Sequence, residues 1–208
     1  MRIVSIDFET ANSSRNSACS LGMTIFENNS IVMNHEWLIQ PKQNRFHSFN
    51  TALHGIDENM VANEPRFDEL WPEIKPYLTN GLVIAHNASF DISVLRSTLD
   101  DYGLDYPEFE YTCTLQMAKR HWKELESYKL SFLADRINFR FNHHNAREDS
   151  KAAMLIFLHI QEQYKALHFT ELLNHLDIKK GTLYAGGYTP SRLIKPKSKT
   201  RKPSKQNS

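Results

Sequence analysis

Asp7 and Glu9 stand two residues apart in the opening stretch RIVSIDFET, and in an extended strand that spacing sends both carboxylates to one face. Two carboxylates side by side in an apolar strand repel each other, and burial raises the cost. An isolated D-x-E is most simply a strand end dipping into solvent. It acquires a chemical meaning when further acids arrive at the same place. Asp91 lies in AHNASFD, where a short apolar strand passes into a helix, so its side chain can project over a sheet edge. Asp149 heads an apolar run, DSKAAMLIF, just after two histidines, His143 and His144. Taken alone, Asp91 and Asp149 are ordinary first-turn acids complementing a helix dipole. With Asp7 and Glu9 they make four acids at the ends of different elements, a hard-oxygen cage suited to Mg²⁺ or Mn²⁺. No zinc set fits, because the chain has no H-E-x-x-H and only two well-separated cysteines, Cys19 and Cys113.

The elements that must carry these residues are legible in outline. RIVSID, SLGMTIFE and SIVMNHEWLI read as strands, the last two joined by a hairpin turn at ENNS. Three antiparallel strands followed by helices point to an α+β or mixed α/β sheet. Residues 51–79 are expected to be helical in pieces, with Pro65, Pro72 and Pro76 interrupting the run. GLVIAHN reads as a short apolar strand and ASFDISVLRSTLDDYG as an amphipathic helix closing at Gly103. FEYTCT fits a strand and TLQMAKRHW a helix. SYKLSFLADRINF fits a helix with a turn, and DSKAAMLIFLHIQEQYKAL is the last long helix.

The chain of 208 residues suits one compact domain with a tail, and 40% apolar residues argue against global disorder. The expected division is a domain over 1–167, an extension over 168–189 with no assigned element, and a basic disordered tail over 190–208. The net charge of +1 hides an asymmetry. The tail carries seven basic residues and no acid, which leaves 18 basic against 24 acidic residues in the body, a charge of −6. Such a tail can offset the body's repulsion of a polyanion by displacing counterions from phosphates. No apolar run approaches the ~18 residues that span a bilayer, and the start reads as a strand rather than a signal peptide. With so few cysteines, a reducing cytoplasmic compartment is the expectation.

IDFET, HNASFD and HNAREDSKA together resemble the three motifs of the DEDDh group of 3′→5′ exonucleases, the group of the epsilon proofreading subunit of bacterial DNA polymerase III and of ribonuclease T. The third motif of that group is a histidine, four residues and an aspartate, which His144 and Asp149 match and His143 misses by one. The resemblance covers roughly residues 1–165 and implies a ribonuclease H-like α/β fold with a mixed five-stranded sheet flanked by helices. It assigns Asp7, Glu9, Asp91 and Asp149 to two divalent ions, Mg²⁺ or Mn²⁺, and His144 to the general base. Two such ions ~3.5–4 Å apart clamp a scissile phosphate, and a histidine near its usual pKa suits a base at neutral pH. ALHGI resembles the group's His-Gly-Ile segment, which points to Leu53, His54 and Ile56 near the terminal nucleotide. Thr10, His86 and Phe90 are further expected contacts. Ala11 departs from the group, which often has a second threonine there.

The function implied is hydrolysis of phosphodiester bonds from a 3′ end to nucleoside 5′-monophosphates, with single-stranded ends preferred. DNA is the expected polymer, although no motif here reads a 2′-hydroxyl. A separate DNA polymerase chain is a candidate partner. Two other readings share the fold or the acids: a non-catalytic nucleic-acid-binding or polymerase-associated module, and an endonuclease of the ribonuclease H type. A binding module has no use for clustered negative charge, and the H-x4-D spacing favours the exonuclease.

Overall fold

The computed structural model describes residues 2–79 and 81–194. Strands β1 (Ile3–Thr10), β2 (Ala18–Glu27) and β3 (Ser30–Leu38) form the expected antiparallel meander. The ENNS turn closes with Asn28 and Asn29 both at positive φ, the geometry that matches the twist of a tight hairpin. Helices α1 (Ser48–His54) and α2 (Phe67–Leu78) follow, then β4 (Leu82–Ala85), α3 (Ser89–Tyr102), β5 (Phe109–Cys113), α4 (Thr114–His121), α5 (Leu130–Arg136) and α6 (Ala146–Gln163). The chain goes on through α7 (Phe169–His175), β6 (Ile178–Lys179), β7 (Gly181–Tyr184), β8 (Gly187–Thr189) and β9 (Arg192–Leu193).

The mixed sheet has seven strands, in the order β3-β2-β1-β4-β5-β7-β8, rather than the expected five. β1, β4 and β5 run parallel, and the other pairings are antiparallel. The five strands anticipated from the sequence are its first five. The other two come from residues 181–189, which had no assigned element because strands of four and three residues carry too little periodicity to be read. β5 would otherwise present an open edge of unpaired backbone groups, and β7 closes it. From the stretch expected as a tail, Arg192 and Leu193 pair with β6 as a separate small ribbon. Residues 195–208 lie outside the described residues.

Pro72 and Pro76 do not interrupt α2; both lie inside it. They sit four residues apart on its exposed side, while Phe67, Leu70, Trp71, Ile74 and Leu78 bury the opposite stripe. The carbonyls deprived of partners face water, and burial of five large side chains outweighs two missing hydrogen bonds. Gly103 caps α3 in the left-handed conformation, as anticipated.

Strand alternation divides the core. Val4, Ile6 and Phe8 of β1 join the cluster under α2 and α3. Ile3 points the other way, into the cluster formed with α4, α5, α6 and α7. Period two therefore places Ser5, Asp7 and Glu9 on the α6 face. On that face Asp7 is paired in register with Gly22 of β2, and Gly22 with Glu36 of β3. A Cβ at Gly22 would lie 1.9 Å from the Ala146 carbonyl oxygen and 2.5 Å from the Arg147 nitrogen, so glycine is what lets the α6 N-terminus lie directly on the sheet. Gly22→Ala is accordingly expected to destabilise the fold by about 1–3 kcal/mol through overpacking. Urea unfolding measures this; an unchanged midpoint would mean α6 does not seat on β2.

Candidate active site

Asp7 and Glu9 occupy the C-terminal half of β1, and a bulge follows Glu9, where β2 carries one residue more than β1. Asp91 sits in the first turn of α3, fully buried; its Oδ1 accepts the Phe8 N–H at 3.0 Å, and its Oδ2 is buried with no partner among the described residues. Asp149 sits in the first turn of α6, also buried. Carboxylate oxygens of Asp7, Glu9 and Asp149 all lie within 4.8 Å of one another. All four line one cleft of about 720 Å³. Burial pushes Asp7 well above its ordinary pKa, and Asp91, Asp149 and Glu9 push it further. Burial, then Asp149 and Asp91, raises Glu9 to about 8. Burial also raises Asp91 to about 7, against the hydrogen bond from Phe8. Clustered hard oxygens, one orphaned, disfavour their own charge, and that is the donor chemistry a divalent cation satisfies. The acidic set fits such an ion.

The α6 N-terminus is held by a polar clamp. Asn145 caps it, its Oδ1 accepting the Glu148 N–H at 3.1 Å, while its Nδ2 donates to Glu36 Oε2 at 3.1 Å. Ser20 Oγ donates to the other Glu36 oxygen at 2.6 Å. One turn on, Thr24 and Ser150 hydroxyls meet at 2.9 Å, and Asn34 Nδ2 donates to Thr24 Oγ1 and to the Arg147 carbonyl. Glu36 is thus a fifth acid beside the cluster, and the sequence reading missed it. Only the β2–β3 register brings it opposite Gly22, and register is not legible in one strand alone.

The two histidines stack with ring centroids 3.9 Å apart at the mouth of the cleft. His143 Nδ1 lies 3.0 Å from Asp149 Oδ1, and the His144 backbone N–H donates to Asp149 Oδ2 at 3.2 Å. His144 has φ +66°, a left-handed conformation that costs roughly 1–2 kcal/mol in a residue with a Cβ. Burial, and then the neighbouring His143, hold the His144 pKa below the ordinary histidine value.

Of the expected contact residues, Leu53, His86 and Phe90 line the cleft, while Thr10 and His54 do not. His54 Nδ1 accepts the Ile56 N–H at 3.1 Å, so Nε2 carries the proton and donates to the Thr10 carbonyl at 3.2 Å. Both ring nitrogens are used on backbone, so His54 fixes α1 to the end of β1 rather than offering a polar group to substrate. His86 is committed in the same way, its Nε2 donating to the Tyr128 carbonyl and its Nδ1 meeting the Thr114 hydroxyl, each at 3.0 Å. Burial lowers its pKa to about 4. Phe90 carries the Arg15 guanidinium 4.3 Å above its ring. Lys119 and Lys129 also line the cleft; isolated lysines in amphipathic sequence give no signal of this.

A ribonuclease H-like sheet with a buried acidic cluster at the ends of its central strands, and a histidine at its mouth, defines a metal-dependent nuclease scaffold. Comparison with known proteins agrees. The family model described as Exonuclease (RNase T) matches residues 4–157. The PolC-type DNA polymerase III of Caldanaerobacter subterraneus subsp. tengcongensis is 32% identical over 167 residues, which is 79% of this chain and 12% of that protein. The 3′-5′ exonuclease DinG of Bacillus subtilis is 29% identical over 175 residues, 82% of this chain and 19% of that protein. The chain thus spans well under a quarter of the length of these relatives. Among solved structures, exonuclease X in complex with 5′ overhanging duplex DNA aligns with a TM-score of 0.64 at 22% identity, covering 84% of this chain and 99% of that one. The nuclease domain of 3′hExo, a DEDDh family member bound to rAMP, aligns at 0.69 with 16% identity, covering 78% of this chain and 92% of that one. The chain belongs to the exonuclease family.

The raised carboxyl pKa values carry a pH dependence. In the unfolded chain these acids ionise near pH 4, whereas the fold keeps Glu9 protonated to about 8 and Asp91 to about 7. Across that window the cation-free folded state binds protons that the unfolded state has released, so its stability falls as pH rises. Divalent cations compete with those protons. The Tm gained on adding Mn²⁺ should therefore be larger at pH 8 than at pH 6, as followed by thermal denaturation. An increment independent of pH would show that these carboxylates do not bind the cation.

Proposed function

We propose that the chain hydrolyses phosphodiester bonds one at a time from the free 3′ end of a nucleic acid strand, with Mg²⁺ or Mn²⁺, releasing nucleoside 5′-monophosphates. The observation that carries the reading is the convergence of Asp7, Glu9 and Asp149 within 4.8 Å, with Asp91 in the same cleft and His144 at its mouth. Asp7, Glu9, Asp91 and Asp149 would hold two divalent ions, which, when bound, supply Lewis-acid charge to the phosphate and lower the pKa of water.

The chain's own residues account for the rest. His144 starts neutral near pH 7, because its pKa lies below the ordinary value, so it can accept the proton of the attacking water. Its position on the turn before α6, fixed through its backbone N–H to Asp149, keeps the base in register with the carboxylates. Leu53 and Phe90 offer apolar walls for a terminal base and sugar, and Lys119 and Lys129 offer charge to phosphates. A strand end that reaches the carboxylates inside the cleft must leave its partner strand, which supports the preference for single-stranded ends. The PolC-type and DinG relatives support a role at nucleic acid ends, and a separate polymerase chain is the partner this suggests. Buried free thiols at Cys19 and Cys113 suit a reducing compartment such as the cytoplasm.

His144→Ala should lower kcat by about 10²–10⁴ while leaving cation binding intact, and His143→Ala should have a small effect. Steady-state rates paired with calorimetric Mn²⁺ titration separate the two. The reverse order of effects would reassign the base to His143. In the same assay an oligonucleotide with a blocked 3′ end should resist degradation, and excess chelator should abolish it. Cleavage of the blocked strand at an undiminished rate would favour an endonuclease.

A further inference from the structure

Residues after 157, beyond the family match, supply one wall of a second concave site. The chain returns along α4 after β8: Gln116 Nε2 donates to the Ser191 carbonyl at 3.1 Å, Ser191 Oγ donates to Gln116 Oε1 at 3.3 Å, and the Arg120 guanidinium donates to the Ile194 carbonyl at 2.7 Å. Gly181 lets β7 approach closely enough for this, because a Cβ there would lie 2.3 Å from the Tyr111 ring and 2.7 Å from the Ser191 nitrogen. The returning segment and β8 form one wall of a groove of about 380 Å³; α3 and α4 form the other.

The groove is continuous with the acidic cleft, since Asn87, Leu115 and Lys119 line both. Its chemistry is the opposite of the cleft's. The lining includes Arg96 and Lys119 and no carboxylate, in a body that is otherwise net acidic. Ser89 and Ser93 also line it, with their hydroxyls donating to Asn87 Oδ1 at 3.3 Å and to the Phe90 carbonyl at 2.7 Å. The Arg96 guanidinium carbon lies 3.8 Å from the Tyr188 ring centroid, a cation–π contact that holds the charge at the groove wall. Its Nε is buried and has no partner among the described residues. Tyr188 remains 42% exposed. Two cations and one exposed aromatic residue, with no carboxylate beside them in the described lining, are features that bind a sugar–phosphate strand without reading its bases.

We propose that this groove binds the backbone of the substrate strand on the 5′ side of the scissile bond. The inference rests on the exonuclease reading, because a strand whose 3′ end lies in the cleft can continue only in that direction. Arg96 is then a positioning residue for long substrates and takes no part in the chemistry. The described chain also ends at this rim, held to α4 through Ile194, and six of the seven basic residues of the tail follow it in sequence.

The test compares a dinucleotide with a strand of about ten nucleotides, a length within the usual single-strand site sizes. Arg96→Ala should raise KM for the longer strand roughly tenfold, as expected for loss of a charged hydrogen bond, with kcat unchanged and the dinucleotide unaffected. Arg96→Lys should restore most of the loss. The slope of log affinity against log salt for the longer strand should become shallower by about 0.7 in Arg96→Ala, the value of one phosphate contact on a single strand. An equal loss on both lengths would reduce Arg96 to structural support of α3, and no loss on the longer strand would empty the groove of substrate; either overturns the proposal. If the unaltered protein cleaves neither substrate, the exonuclease reading fails, and the salt slope of strand binding still decides the groove.

Discussion

The seating of the α6 N-terminus on β2 is the contact on which the rest of the molecule depends. At Gly22 the helix backbone and the sheet backbone approach within a distance that no side chain permits. This places the first turn of α6, with Asp149, over the strand face that carries Asp7 and Glu9. The approach is specific rather than merely close, because Glu36, Asn145, Ser20, Thr24, Asn34 and Ser150 form polar contacts around the glycine. Apolar packing alone would tolerate a helix shifted by a fraction of a turn. Hydrogen bonds with fixed partners do not, and a cation site needs that definition.

The same seating creates the least comfortable part of the fold. Asp7, Glu9 and Asp91 are driven above their ordinary pKa values chiefly by burial and then by one another. A core chosen for stability alone would not contain them, and the local rule they break is the mark of a functional site. The surrounding structure holds them without neutralising them. Asp91 receives one backbone N–H, Asp149 one backbone N–H and the His143 ring, and the remaining oxygens are left for ligands.

Two histidines that the motifs place near substrate, His54 and His86, act as struts. Each spends both ring nitrogens on the protein, one tying α1 to the end of β1, the other tying the Tyr128 loop to α4. Fixing these loops fixes the walls of the cleft, Leu53 and the Tyr128 segment among them. The C-terminal hairpin extends this logic past the family core: by pairing with β5 it closes an open sheet edge and supplies a wall next to the cleft.

The positions of Asp7, Glu9, Asp91, Asp149 and His144 in one cleft, and the first five strands, were legible in the sequence because each rests on a local pattern. D-x-E on an alternating strand, an acid at a strand-to-helix junction and H-x4-D before an apolar helix are all signals within a dozen residues. Tertiary structure decided what depends on pairing across distance. Glu36 joins the acidic cluster only through the β2–β3 register, and Gly22 matters only because α6, more than a hundred residues later, lands on it. Pro72 and Pro76 remain inside α2 because the core rewards its buried stripe, a gain that no local propensity contains. β7 and β8 exist as strands because β5 offers them an edge, and the short runs that form them carry no such instruction in isolation.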